Sequence, residues 1–473
     1  MDLSKLTIAS ARKALDAKEF TARELTEAYL DEINKKNGEL QAYLEVWSES
    51  AREEAKKADE RIARGESAPL TGIPLAIKDN MLVVDRRITA ASKILENYIA
   101  SYDASVIKKL KEQNAVLLGR TNMDEFALGS STENSAFGPT KNPHDISRVP
   151  GGTSGGSTAA VAANLALGAL GSDTGGSLRQ PAAFCGTVGF KPTYGAVSRY
   201  GLIAAASSLD QIGTVGKTVE DAQIIFDAIR GHDENDSTSL PDSAFTKTAS
   251  VKKVVGVPRA FLKEGVEADM LENFEQTLKS LKAAGYSIVD VDLPALEYSL
   301  AVYYIINPAE VSTNLARFDG IRYGLSVPAD TIGETYERSR GIGFGPETRR
   351  RMLVGTFVLS SGYADAYYRK ARDVRELIRA DFAKAFESVD AIAMPTSPTA
   401  PWKIGGKADP LSVYAADIFT VPINLAGVPA ISIPSGSVER DGKKLPVGFQ
   451  IIAPHRGEAG LFAIAKDVEK SAV

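Results

Sequence analysis

Two glycine-rich segments dominate the chain: GGTSGGS at residues 151–157 and DTGGS at residues 173–177. The run of small residues between them, at 158–170, is rich in alanine. We predict a helix over Gly155 to Ala166, after a glycine turn, because its small side chains permit close packing against a sheet. Further upstream, the apolar residues of the run Gly72 to Lys78 predict a short strand.

Helices and strands alternate outward from these segments. Residues 1–65 are predicted to be helical, and Thr21 with Glu24 forms a capping box at the start of one helix. Further helices are predicted at Ala51–Arg64, Ala104–Gln113, Ala268–Ala284 and Ala364–Glu387, with helices and loops over Tyr303–Tyr363. Strands are predicted at Ala115–Gly119, Val254–Val257, Ser287–Val291, Asp390–Met394, Ala430–Ile433 and Val447–Ile452. This alternation predicts one α/β domain, residues 1–473, around a mixed sheet.

Composition narrows the class of protein. Hydrophobic residues make up 44% of the 473 residues and charged residues 24%, which is ordinary for a globular enzyme. The formal net charge of −5 argues against a general phosphate-binding surface. Cys185 is the one cysteine, which excludes a disulfide within the chain and fits a reducing compartment. With no signal-peptide core and no apolar run long enough for a membrane span, we expect a cytoplasmic protein.

A serine and a lysine are the candidates for chemistry. Ser177 follows two glycines, and the backbone N–H groups of Thr174, Gly175 and Gly176 could form an oxyanion hole. Lys78 ends an apolar strand and could act as the base if burial keeps it neutral, as in Ser–Lys variants of the catalytic triad. The alternatives are a glycine turn capped by a serine and a surface lysine with a buried stem.

Other chemistries find little support in the sequence. The three histidines, His144, His232 and His455, lie far from any serine–glycine elbow, and no His/Cys/Asp cluster has the spacing of metal ligands. No phosphate-binding loop of the type GxxxxGK[ST] is present. We therefore expect no cofactor and no metal in this chain.

Taken together, Lys78-Asp79-Asn80 and the two glycine-rich segments resemble the amidase signature family. The resemblance implies a single α/β/α sandwich with about ten or more strands, in which Lys78 and Ser177 are catalytic. In the family a serine, joined by a cis peptide bond, relays the proton between them. Here Thr153 stands at that position, 24 residues before Ser177. Threonine keeps the hydroxyl but adds a methyl group, so Ser154 as the relay, or a weakly active scaffold protein, remain alternatives.

Within the family, five further segments resemble the glutamine-hydrolysing A subunits of tRNA-dependent amidotransferases. They lie at residues 121–126, 129–135, 197–202, 208–213 and 317–324. The resemblance implies that glutamine is hydrolysed through an acyl-enzyme. The ammonia would pass to a B subunit, which uses ATP and Mg to convert Glu-tRNA(Gln) to Gln-tRNA(Gln), with a small C subunit completing the complex. Contact with tRNA is expected mainly through the B subunit.

The same resemblance assigns the substrate contacts. Arg351 would bind the carboxylate of glutamine and Asp417 its ammonium group, with a further contact from Tyr303 or its neighbour Tyr304. Residues 300–370 would then form the substrate region. The alternative is a stand-alone amidase on another amide, which would have no need of these two charged contacts.

Overall fold

The computed structural model describes residues 1–245, 252–262, 265–407 and 409–471. Within these ranges one sheet contains eleven strands. They are β1 (Tyr43–Val46), β2 (Pro74–Lys78), β3 (Val116–Thr121), β4 (Gly168–Asp173), β5 (Val188–Lys191), β6 (Gln211–Gly216), β7 (Val254–Val257), β8 (Ser287–Asp290), β9 (Ala391–Pro395), β10 (Ala430–Arg440) and β11 (Lys443–Ile452).

The α-helices of the described ranges are distributed along the whole chain. They are α1 (Ile8–Asp16), α2 (Ala22–Leu40), α3 (Ser48–Ala63), α4 (Ser105–Glu112), α5 (Gly155–Ala162), α6 (Arg179–Cys185), α7 (Val219–Ile229), α8 (Ala268–Ala283), α9 (Ser299–Asn314), α10 (Ile332–Gly343), α11 (Pro346–Leu359), α12 (Lys370–Ala385), α13 (Pro410–Tyr414), α14 (Val421–Ala426) and α15 (Glu458–Ser471). None of the described helices is long and apolar enough to cross a membrane.

The sheet is mixed, which confirms the predicted α/β class. Its strand order is β1-β3-β2-β4-β6-β5-β10-β11-β9-β7-β8. Strand β2 pairs in parallel with both β3 and β4, and β7 pairs in parallel with β8 and β9. The remaining pairs are antiparallel, including the long hairpin of β10 and β11. Because β2 and β4 run in parallel, their last residues, Lys78 and Asp173, lie at the same edge of the sheet.

Several predicted elements are confirmed, among them the capping box. Thr21 opens α2, and its Oγ1 accepts from the N–H of Glu24 at 3.1 Å. The predicted strand Val254–Val257 has the same bounds as β7. The long helix predicted from Ala364 to Glu387 is a π-helical turn at Asp365–Arg369 followed by α12.

Other predictions need correction. The first 65 residues are not all helical, because Tyr43–Val46 form β1, which pairs antiparallel with β3. The helix predicted to Ala166 ends at Ala162, and the chain then forms β4. Strands β4, β5 and β6 were not predicted. Strand β4 consists mostly of glycine and other small residues, which have low intrinsic strand propensity. Strands β5 and β6 contain strand-favouring residues, but glycine interrupts these short runs. All three lie in the middle of the sheet, where pairing with both neighbours stabilises them.

Candidate active site

Lys78 lies at the end of β2 and is fully buried. Its Nζ lies 2.7 Å from Thr153 Oγ1, 2.8 Å from Ser154 Oγ and 2.9 Å from Ser172 Oγ. Three hydroxyl oxygens therefore surround the amine. Two of them come from the first glycine-rich segment, and the third comes from β4.

Burial lowers the pKa of Lys78 to about 7. The carboxylates of Asp124, Asp173 and Asp210 act in the opposite direction, and they do not outweigh the loss of hydration. A large fraction of Lys78 is thus neutral near neutral pH. A neutral amine has a lone pair, which is what a general base requires.

Ser177 lies in the loop between β4 and α6 and keeps 8% of its surface exposed. The loop depends on glycine, because Gly176 has a φ of +126° and a Cβ there would overlap Thr420. A Cβ on Gly175 would lie 2.6 Å from Tyr303 Cζ. The side chain of Thr174 is fixed by its hydrogen bond to Asp210 at 2.7 Å.

The three backbone donors predicted for an oxyanion hole are not equivalent. The N–H of Gly176 donates to Asp173 Oδ1 at 2.8 Å, so it is occupied in this conformation. The N–H groups of Thr174 and Gly175 make no hydrogen bond within the described part of the chain. These two are the better candidates to stabilise an oxyanion.

Thr153 contacts Lys78, but no hydrogen bond among the described residues joins its hydroxyl to that of Ser177. The backbone does connect the two segments, since the N–H of Ser154 donates to the carbonyl of Ser177 at 2.9 Å. The predicted cis peptide bond beside Thr153 is wrong for this structure, because every described peptide bond is trans. The structure thus brings Lys78 and Thr153 together and leaves the last link, to Ser177, unmade.

A buried ion pair that sequence reasoning missed stabilises this loop. Arg179 Nη2 lies 2.9 Å from Asp173 Oδ1, and both side chains are fully buried. Burial alone would raise the pKa of Asp173, but Arg179, helped by Lys191 and Asn424, outweighs burial and lowers that pKa to about 2. Asn424 also donates to Asp173, at 3.0 Å. The signal was present in the sequence, because Asp173 and Arg179 flank Ser177, but nothing local showed that the two side chains meet.

The predicted contact for the substrate ammonium, Asp417, is a buried side chain with three polar neighbours. Its Oδ2 accepts from Ser130 Oγ at 2.6 Å and from the hydroxyl of Tyr304 at 3.1 Å. Gln180 donates to Oδ1 at 3.3 Å. Burial raises the pKa of Asp417 to about 7, so its negative charge is present only in part near neutral pH.

The predicted carboxylate contact, Arg351, lies on α11 close to the same tyrosine. Its guanidinium lies 5.3 Å from the ring centre of Tyr304 and 5.4 Å from that of Tyr414. Its Nε donates to Glu347 at 2.8 Å and its Nη1 to Asn307 at 3.1 Å. Its Nη2 makes no hydrogen bond within the described residues. A cavity of about 250 Å³, lined in part by Arg351, Glu347 and Tyr414, opens beside it.

Both tyrosines left open by the sequence belong to this region, in different places. Tyr304 contacts Arg351 and Asp417, whereas Tyr303 packs against Gly175 next to Ser177.

The described residues contain no group of three or more His, Cys, Asp or Glu side chains arranged to hold a metal ion.

Comparison with known proteins agrees with this arrangement. The family model described as Amidase matches residues 24–462. The chain is 51% identical to the A subunit of glutamyl-tRNA(Gln) amidotransferase from Desulfatibacillum aliphaticivorans, over all of this chain and 98% of that protein. It is also 51% identical to the protein of the same name from Thermoanaerobacter pseudethanolicus, over all of this chain and 97% of that protein.

Solved structures with the same fold include proteins of different named activity. The A subunit of glutamyl-tRNA(Gln) amidotransferase from Thermotoga maritima is 42% identical with a TM-score of 0.81, over 99% of this chain and 95% of that one. The peptide amidase of Stenotrophomonas maltophilia is 28% identical with a TM-score of 0.81, over 100% of this chain and 98% of that one. The sequence motifs, the eleven-stranded sheet and the family match together establish that the chain belongs to the amidase signature family.

Proposed function

We propose that the chain is the glutamine-hydrolysing subunit of a glutamyl-tRNA(Gln) amidotransferase. The observation that carries the proposal is that a single side chain joins the two charged substrate contacts. The hydroxyl of Tyr304 donates to Asp417, and its ring lies against the guanidinium of Arg351. The Asp417 carboxylate and the Arg351 guanidinium are therefore complementary to the ammonium and the carboxylate of a free amino acid. Two relatives that match over the whole of this chain are named as A subunits of glutamyl-tRNA(Gln) amidotransferase, which supports the same assignment here.

The chemistry follows from the hydroxyls around Lys78. Neutral Lys78 accepts the proton of Thr153, and Thr153 accepts the proton of Ser177. Ser177 Oγ then bonds to the side-chain amide carbon of glutamine, and the carbonyl electrons move to its oxygen. The N–H groups of Thr174 and Gly175 stabilise that oxyanion. The Thr153–Ser177 hydrogen bond, unmade in the free protein, would form when substrate binds, as catalytic hydrogen bonds commonly do.

The second half of the reaction releases the products. The oxyanion collapses and the carbon–nitrogen bond breaks, while the leaving nitrogen takes a proton from Lys78 through Thr153 and departs as ammonia. Water then attacks the glutamyl ester, with the same relay acting as base. Glutamate leaves and Ser177 regains its proton.

The partners belong to the proposal as well. A B subunit would use the ammonia to amidate Glu-tRNA(Gln) with ATP and Mg, and a C subunit would complete the complex. This chain itself would hold no cofactor.

Ammonia release from glutamine tests the proposal. It should be measured for the purified chain, alone and co-expressed with the two other subunits. Ser177→Ala should abolish ammonia release. Ser157→Ala is the control and should remain active, because Ser157 is a buried serine on α5 that contacts Thr121 and Leu170 rather than Lys78. If a simple amide without an amino-acid head group is cleaved as well as glutamine, the chain is a stand-alone amidase and the proposal fails.

A further inference from the structure

Behind the hydroxyls that surround Lys78 lies a second polar side chain that the mechanism above does not use. Asn80 follows Lys78 by two residues and is 2% exposed, as is Ser172 on β4. The Nδ2 of Asn80 donates to Ser172 Oγ at 3.0 Å, and the same oxygen accepts from Lys78 Nζ at 2.9 Å. This arrangement leaves the Ser172 proton without an acceptor and the buried Asn80 Oδ1 without a donor. Turning the Asn80 amide by 180° satisfies both groups, because Ser172 then donates to Oδ1 and still accepts from Lys78.

The protons of the other two hydroxyls differ in a way that matters for the base. Ser154 Oγ donates to the carbonyl of Ser172 at 2.9 Å, so its proton is engaged and it can only accept from Lys78. Thr153 Oγ1 has no hydrogen bond within the described residues other than the one to Lys78. With the Ser172 proton held by Asn80 Oδ1 and the Ser154 proton by a carbonyl, only the Thr153 hydroxyl has a proton free to point at the amine.

A neutral lysine has two N–H donors and one lone pair, so the direction of that lone pair is decided by its neighbours. Ser154 and Ser172 take the two N–H donors as acceptors. The lone pair is then left for Thr153. We propose that Asn80 and Ser172 are positioning residues that hold the lone pair of neutral Lys78 toward the Thr153 hydroxyl. This inference rests on the proposed function only in so far as Lys78 is the base.

Loss of Asn80 would remove the acceptor of the Ser172 proton and let that hydroxyl rotate. Its proton could then point at Lys78 and occupy the lone pair that Thr153 needs. This non-productive hydrogen bond would stabilise the neutral amine while blocking its use. We therefore expect two effects together. The pKa of the Lys78 amine falls, and the neutral amine nevertheless activates Ser177 less well. Ser172→Ala leads to the same two effects, because the ammonium form loses one of its three acceptors.

The rate at which a fluorophosphonate probe labels Ser177, measured against pH, tests this directly. The probe reports activation of Ser177 without requiring glutamine. In Asn80→Ala and Ser172→Ala we expect the rate at high pH to fall about tenfold, a part of the usual contribution of a general base. The pH at which labelling reaches half of its maximum should also move to lower pH. Ser172→Cys should behave similarly, since sulfur is a weak acceptor of similar size, and it serves if the alanine variant does not fold.

Ser157→Ala is the matched control, and it should label like the parent protein. The inference is overturned if the Asn80 and Ser172 variants also label like the parent. It is equally overturned if their rates fall without any movement of the pH profile, because loss of structure alone would do that. A parent protein that labels at Ser177 but releases no ammonia from glutamine would refute the proposed function and leave this inference intact.

Discussion

The two groups with pKa values near 7 predict an unusual pH dependence. Lys78 must lose its proton to act as the base, and Asp417 must lose its proton to bind the substrate ammonium. Both requirements fail in the same direction, because lowering the pH through about 7 protonates both groups. For glutamine, activity below pH 7 should therefore depend on two deprotonations.

The magnitude follows from the fraction of each group in its active form. One pH unit below its pKa, a group is about 10% deprotonated, so two independent groups leave about 1% of the protein active. For glutamine, kcat/KM at about pH 6 should be roughly 100-fold below its plateau, and its logarithm should fall with a slope of about two. Glutaramate, which is glutamine without its α-amino group, has no need of ionised Asp417. Its slope should be about one, from Lys78 alone.

The assay is ammonia release from each substrate between about pH 5 and pH 9, since kcat/KM reports the groups of the free enzyme. The stability of the protein over that range should be checked by its melting temperature. Asp417→Asn should reduce the slope for glutamine to about one, at a much higher KM. Equal slopes for the two substrates would refute the role of Asp417. A flat profile for both would refute Lys78 as the base.

Two further predictions concern the relay and the substrate helix. Thr153→Val should lower ammonia release by about 10²-fold or more, because it removes the hydroxyl and keeps the shape, whereas Thr153→Ser should remain active. The reverse pattern, with Ser154→Ala inactive and Thr153→Val active, would assign the relay to Ser154. Glu125→Gln should raise KM for glutamine several-fold with little change in kcat. The Glu125 carboxylate accepts from the N–H of Gly345 at 2.8 Å and from the hydroxyl of Thr348. Both donors lie at the start of α11, the helix that carries Arg351, so the loss of the negative charge should shift that helix. An unchanged KM in steady-state kinetics would contradict that role.

The sequence predicted the candidate residues better than it predicted how they meet. Lys78 and Ser177 follow from an apolar strand and from a glycine turn, which are local features. The contact of Lys78 with Ser172 depends on the parallel pairing of β2 with β4, whose residues lie more than ninety positions apart. Strand β4 itself escaped prediction because its residues are small and have low strand propensity. A run of small residues indicates that another part of the chain packs closely against it. It does not show which strand that neighbour is.

The substrate side shows a similar limit. The sequence left Tyr303 and Tyr304 as alternatives for one contact. Neighbouring residues on a helix point about 100° apart, so they cannot share a role. Tyr303 points to the loop of Ser177, and Tyr304 points to Asp417 and Arg351. Only the orientation of α9 about its own axis decides between them, and no local pattern fixes that orientation.

A neutral lysine is costly to maintain; burial lowers the pKa of Lys78, and a neighbouring ion pair limits the opposing effect of Asp173. The drop in the pKa of Lys78 from 10.5 to about 7 corresponds to on the order of 5 kcal/mol. An unpaired Asp173 at the same sheet edge would favour the ammonium form and oppose that drop. Arg179 compensates the charge of Asp173 where both are fully buried, and Asp173 in turn holds the N–H of Gly176. The Asp173–Arg179 ion pair thus holds the loop of Ser177 and limits the negative potential at Lys78. A neutral lysine can then act as the general base, the role that a histidine has in other serine hydrolases.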